Sequence, residues 1–333
     1  MEDRLSRLSK LAAFVVASLT LLAAGAAAAA DSPFKNWAAM FVAADYQSST
    51  GADTDVFDNG RQDLAKAFIA AGFSPENILH VSTRAYRYTD PKPIGTEPPM
   101  AFANTWKALA EKAPAGCLVF VTSHGSPEGV VFGFQTRSPA NLAKLIDEAC
   151  GARPTVAIIS ACYSGVFVPA LSGPNRMVMT AARPDRSSFG CGSNDVYTFF
   201  DACLIQSVPK AKDFGDLPAA VRSCVGAKEA ELGVIPEAEA EAAIRAQRHV
   251  LLPSGPQTSI GETFQTSIAK YAFGPPAAAE RTYIVRAGDT LARIAQLTLG
   301  DARRADEILK VNQPALKNAN SVRIGQQLRI PPQ

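Results

Sequence analysis

The chain has 333 residues, 47% hydrophobic and 19% charged, enough apolar material for two domains of ordinary size. Its 33 lysines and arginines stand against 31 aspartates and glutamates, a formal charge of +2. That balance, without a dense basic cluster, excludes a nucleic-acid footprint.

Residues 1–30 differ from the rest. Arg4, Arg7 and Lys10 precede an apolar run beginning at Leu11, and alanines follow to Ala30. Small residues at Ala28 and Ala30, ahead of Asp31, fit a cleavage site, so 1–30 reads as a secretory signal peptide. The alternative is an uncleaved anchor, because the stretch is nearly long enough to span a bilayer. No later segment reaches that length. The expectation is an exported protein, periplasmic or cell-wall associated, with no stable membrane span after signal removal.

From Trp37 onward, strand-like and helix-like stretches alternate. Residues 38–44 form a buried strand. Residues 63–71 have helical spacing, with Leu64, Phe68 and Ala71 on one face and Gly72 as the C-cap. A second strand covers 77–81, and 86–100 is a polar loop with four prolines. A helix at 104–112, a strand at 117–121, a helix at 139–149 and strands at 155–160 and 177–181 follow. Amphipathic stretches occupy 217–232 and 237–250. This alternation predicts an α/β fold with a mostly parallel sheet and helices on both faces. In such sheets ligands gather at the carboxyl ends of the strands.

Two short runs stand at such ends. Ser123-His124-Gly125-Ser126 follows the apolar residues 118–121, and Ser160-Ala161-Cys162-Tyr163-Ser164-Gly165 follows 156–159. A thiol and an imidazole on neighbouring strand ends are the parts of a cysteine hydrolase. His124 serves as base and proton donor, Cys162 as nucleophile. Gly125 and the Cys162 amide are placed to meet an oxyanion. With Cys162 free, five cysteines remain, so at least one more is unpaired or pairs between chains. The cysteine spacings and the separated His80, His124 and His249 hold no metal-ligand pattern, and no cofactor is expected.

These two motifs resemble those of the legumain family of cysteine endopeptidases, over most of residues 36–270. The resemblance implies a caspase-like fold and peptide-bond cleavage through an acyl-enzyme, with a polypeptide as substrate. It implies further roles one residue at a time. Asn59 is the auxiliary active-site residue. Arg61 lines the pocket for the residue before the scissile bond, facing Ser188 and Asp195. Arg61 and Asp195 together offer a donor and an acceptor, as a side-chain amide requires, so an asparagine preference follows. Ser160 stands where the family usually has an acid, and Gln62 where it often has histidine. Both departures bear on specificity, and they leave room for an inactive interaction domain. A wall-peptide amidase or a transpeptidase shares the same nucleophile.

A proline- and alanine-rich linker at 274–281 separates 33–273 from 282–333. The last segment reads as strand, two helices, strand. Tyr283-Ile284-Val285 with Gly288-Asp289-Thr290-Leu291, then Asn312, then Gly325-Gln326-Gln327-Leu328-Arg329-Ile330-Pro331, resemble a LysM module. That resemblance implies binding to peptidoglycan or another N-acetylglucosamine polymer. The implied groove runs between Gly288, Asp289, Thr290 and Leu291 and the loop bearing Val322 and Ile324.

Overall fold

The sheet is built first by runs with apolar residues at consecutive positions, as strands buried on both faces require. In the computed structural model, which describes residues 32–97, 101–274, 281–286, 288–313 and 315–331, these are β1 (Trp37–Ala43), β4 (Gly116–Thr122), β8 (Thr155–Ser160) and β9 (Arg176–Thr180). Every residue of β1, β4 and β8 is buried. The leader and most of the linker fall outside the described residues.

β2 (Ile78–Ser82), the short β3 (Ile94–Gly95) and β10 (Gln257–Ile260) complete a seven-stranded sheet in the order β10-β9-β8-β4-β1-β2-β3. β10 pairs antiparallel with β9, and the other pairs are parallel. The chain leaves β1 toward β2 and β3, then returns to β4 on the other side, so the winding reverses between β1 and β4. That reversal opens a crevice above their carboxyl ends.

Period-two alternation divides the core between two faces. Phe41, Phe120, Ile158 and Met179 lie across one rung of β1, β4, β8 and β9. They pack with Leu64 and Phe68 of α1 (Val56–Ala70), Phe200 and Leu204 of α5 (Phe199–Ser207) and Leu217 and Val221 of α6 (Leu217–Glu231). On the other face, Met40, Val119 and Ile159 pack with Trp106 of α2 (Ala101–Lys112) and Leu142 and Ile146 of α3 (Pro139–Cys150). Shorter helices are α4 (Val168–Leu171), α7 (Glu237–Arg245) and α8 (Glu262–Ser267). A separate small sheet of β5 (Gly125–Ser126), β6 (Gly129–Phe132) and β7 (Gln135–Arg137) follows β4.

The cysteine pairing left open by the sequence is Cys117–Cys150 and Cys203–Cys224, with Cys162 and Cys191 free. The disulfides bridge sequence separations of 33 and 21 residues, about 3–4 kcal/mol each by the chain-entropy account. One expectation is corrected here. The first helix begins at Val56 rather than at 63, so Asn59 and Arg61 ride on its first turns. Gly60 disguised this start, because glycine in a helix interior is unfavourable unless packing requires it.

The division into two compact units falls between Gly274 and Pro275. The second unit has antiparallel β11 (Arg281–Ile284) and β12 (Gln327–Ile330), with α9 (Leu291–Leu299) and α10 (Ala305–Val311) between them in the chain. Its core gathers Val285, Leu291, Ile294, Ile308, Leu316 and Leu328.

Candidate active site

Thr122, the last residue of β4, is the register partner of Ser160, the last of β8. His124 and Cys162 each follow two residues later, so adjacent parallel strands deliver both to one edge. The His124 Nε2 lies 2.9 Å from the Gln47 carbonyl oxygen, on the loop after β1. A carbonyl can only accept, so Nε2 carries the hydrogen and Nδ1 of the neutral ring is left as the acceptor. The Phe57 ring stands edge-on to the imidazole at 5.2 Å and limits its tilt.

Cys162 is held from another side. Ser188 N–H donates to Sγ at 3.3 Å, and the Ser188 hydroxyl lies 3.6 Å from it. Immediately after the cysteine the backbone turns sharply. Tyr163 has φ of 57°, a left-handed conformation uncommon for a bulky residue, and its N–H donates to the Arg186 carbonyl at 2.8 Å. Gly125 has no freedom to be anything else. A Cβ there would run into the Cys162 carbonyl oxygen and the Ala161 side chain. The backbones bearing the two reacting groups therefore touch, and only glycine permits it.

Ser48, Ser49, His124, Cys162, Ser187, Ser188 and Cys191 line an open cleft of about 480 Å³. Its walls are the loops after β1, β4, β8 and β9. Both candidate reacting side chains are partly exposed in it. The imidazole and the thiol share the wall, each held by its own partner. Cys191 also lines the cleft, and its thiol is pushed up by burial and then by the neighbouring Cys162 and Asp195. It therefore stays a thiol while Cys162 has the contacts of a nucleophile.

The residues expected to line the pocket differ in burial. Arg61 is fully buried. Its Nε donates to Asp58 at 2.9 Å, another guanidinium nitrogen donates to His80 Nδ1 at 3.1 Å, and the group lies over the Tyr88 ring. This cluster ties α1 to β2, and burial together with the Arg61 charge pushes His80 down to about 4. Asp195 is exposed and accepts from Gly192 N–H at 2.7 Å. Arg61 is thus held by Asp58, three residues back on the same helix, with one guanidinium nitrogen, Nη2, buried and unpartnered. Ser160 is buried and pairs with Thr198, so it does not line the cleft either. Of the pocket residues, Ser188 alone is in the cleft.

Asn59, on the first turns of α1, reaches the loop after β9. Its Nδ2 donates to the Val196 carbonyl at 3.1 Å. Tyr197 donates to Asp63 at 2.5 Å, and Ser49 N–H donates to the Cys191 carbonyl at 2.9 Å. These bonds pin the loop that carries Ser188 and Cys191 to α1 and to the loop after β1. Gln47 was not readable from sequence, since it acts through a carbonyl that every residue has. Cys191 carried a signal, being the cysteine left over by parity.

In the second unit, the expected glycan residues divide. Gly288 has φ of 81° at the turn. Asp289 accepts from Arg286 N–H and from the Tyr283 hydroxyl, both at 2.8 Å, and Thr290 caps α9 by accepting from Arg293 N–H. Leu291 is 1% exposed and belongs to the core, a correction that follows from its place at the start of an amphipathic helix. Val322 packs partly against that core, and Ile324 is 74% exposed.

Comparison with known families agrees with this division. The Peptidase C13 family model matches residues 99–218, which include His124 and Cys162, and the LysM domain model matches residues 283–331. The chain thus carries a peptidase C13 domain, that of the legumain family, followed by a LysM domain. The potassium binding protein Kbp of Escherichia coli O6:H1 is 41% identical over 56 residues, 17% of this chain and 38% of that protein. The chain therefore spans well under half of that relative's length. Among solved structures, caspase-1 from Spodoptera frugiperda aligns with TM-score 0.45 and 15% identity over 68% of this chain and 87% of that one.

Proposed function

We propose that the protein is a cysteine endopeptidase, with Cys162 as nucleophile and His124 as general base and acid, held at an N-acetylglucosamine polymer by its LysM domain. The observation that carries this reading is the common cleft. Two adjacent strand ends bring an imidazole with a free Nδ1 and a partly exposed thiol to the same open wall.

In this mechanism the Cys162 proton passes to His124 Nδ1, and Sγ adds to the scissile carbonyl. The oxygen that gains charge is met by the N–H groups of Gly125 and Cys162, whose backbones already lie together. The His124 proton goes to the leaving amine, which departs as the thioester forms. Water, deprotonated by His124, then releases the acid and restores the thiol. The Gln47 carbonyl keeps the ring in one tautomer. An asparagine preference is not part of this reading, because Arg61 is fully buried and does not line the open cleft.

The setting is an exported, wall-associated one. The leader and the LysM domain support it, and among the described residues no helix is long and apolar enough to cross a membrane. The test is cleavage of a peptide library by the wild type and by Cys162→Ala. Cleavage by the wild type with none by the variant is expected. Equal cleavage by both removes the assignment.

A further inference from the structure

One carboxyl inside the first unit has no part in the mechanism above. Asp201 is 0% exposed, in the first turn of α5, a single acid in the apolar run Phe-Phe-Asp-Ala-Cys-Leu-Ile. Its Oδ2 accepts from the Thr122 hydroxyl at 2.7 Å, and the Ser160 hydroxyl is linked to the same residue through Thr198. Thr122 and Ser160 are register partners at the ends of β4 and β8. They stand two residues before His124 and two before Cys162. One residue thus holds the last rung from which both reacting side chains depart. Thr198 completes the cluster, accepting from Asp201 N–H at 3.0 Å and meeting Ser160 Oγ at 3.3 Å. On α1, Gly60 leaves the space the carboxylate occupies, since a Cβ there would overlap Oδ2. The groups facing Asp201 from β4, β8, α5 and α1 are hydroxyls and a glycine, with no charge among them.

The energetics argue against a role in stability alone. Oδ1 has no hydrogen-bond partner, and a buried polar atom without one is costly. Burial pushes the carboxyl up to about 6, against the hydroxyl bonds that lower it. At neutral pH an uncharged amide of the same shape makes the fold more stable. A group that costs stability beneath both reacting residues has the mark of function retained against stability.

We propose that Asp201 is a positioning residue that clamps the final rung of β4 and β8 and so sets the separation of His124 and Cys162. This rests on the assignment of those two as base and nucleophile. The ionised carboxylate accepts from the Thr122 hydroxyl, while the Asp201 N–H holds the Thr198 hydroxyl that meets Ser160. When protonated it accepts more weakly, and the rung loosens.

The test compares Asp201→Asn, Thr122→Val and Cys162→Ala with the wild type, measuring kcat, KM and Tm across mildly acid to mildly alkaline pH. The expected result for Asp201→Asn is a Tm near neutral pH equal to or above the wild type, with kcat lower by about tenfold or more and KM unchanged. The part of the wild-type fall in kcat below about pH 6 that Asp201 contributes is absent from that variant, while the part that comes from the His124–Cys162 pair remains. Thr122→Val loses kcat in the same way. Wild-type kcat and pH profile in both variants overturn the clamp, as does a kcat that falls only in step with Tm. Should Asp201→Asn fail to fold, Thr122→Val and Ser160→Ala carry the same split of kcat from KM, and wild-type kcat in both overturns the proposal. A Cys162→Ala variant that cleaves like the wild type overturns the nucleophile assignment and the clamp with it. An inactive Cys162→Ala beside an undiminished Asp201→Asn overturns the clamp alone.

Discussion

The two units solve the problem of buried polarity in opposite ways. The first has a sheet covered on both faces, and it encloses Asp58, Arg61, Arg84 and Asp201. In the second, Asn312 is the buried polar side chain among the described residues, and its amide is nearly saturated. Asn312 Nδ2 donates to the carbonyls of Ile308 and Arg329, and Oδ1 accepts from Arg329 N–H. A large two-sided core can tolerate an underpaired charge and use it. A core of nine residues can hold only a polar group that ties helix to strand. On the proposed reading, chemistry belongs to the first unit, and a binding surface outside a small rigid core to the second.

The comparison breaks most readily at the cleft. His124→Ala is expected to lower kcat on a soluble peptide about a thousandfold, with the fold intact by circular dichroism. Leu328→Ala in the second core is expected to destabilise that unit by about 2–5 kcal/mol and to abolish pull-down by an N-acetylglucosamine polymer, with kcat on the same soluble peptide unchanged. Loss of peptide cleavage in Leu328→Ala shows instead that the units depend on one another.

A smaller effect sharpens the contrast through pH. His80 titrates near 4 in the fold, below its ordinary 6.5, so its contribution to stability is lost as pH falls through that window. Asp201 titrates near 6, above its ordinary 3.8, so its contribution is lost as pH rises through almost the same window. Each spans about 3 kcal/mol, and the two oppose. The wild-type Tm is therefore expected to stay nearly level across this range. Asp201→Asn removes one side, so its Tm falls on acidification by several degrees more than the wild type's, measured by calorimetry. Asn312→Ala, which strands the Arg329 backbone, costs about 2–3 kcal/mol in the second unit by thermal melting. Tyr197→Phe, losing the bond to Asp63, costs about 1 kcal/mol in the first and leaves kcat within about twofold.

The legible parts of the chain share one property, that neighbours in sequence decide them. β1, β4, β8 and β9 were readable because strands buried on both faces need uninterrupted apolar runs. His124 and Cys162 were readable as strand-end residues flanked by small ones. The second unit was readable almost throughout, because each of its motifs marks a turn, a cap or a strand. The early start of α1 was hidden by Gly60, whose reason is a carboxyl 141 positions away, at Asp201. The contacts of Arg61 with Asp58 and His80 were hidden for the same cause, since they depend on α1 meeting β2.

By itself, the order of residues determined the two-unit plan, the parallel sheet and the placement of His124 and Cys162 just after strand ends, because apolar periodicity and strand-end punctuation are local properties. Only the tertiary structure decided which cysteines pair, that Gln47 holds the ring, that Asn59 pins a loop, and that Asp201 meets Thr122 at the end of β4. Each of those depends on a contact across the winding of the sheet, where free energy rests on distance in space and not on separation along the chain.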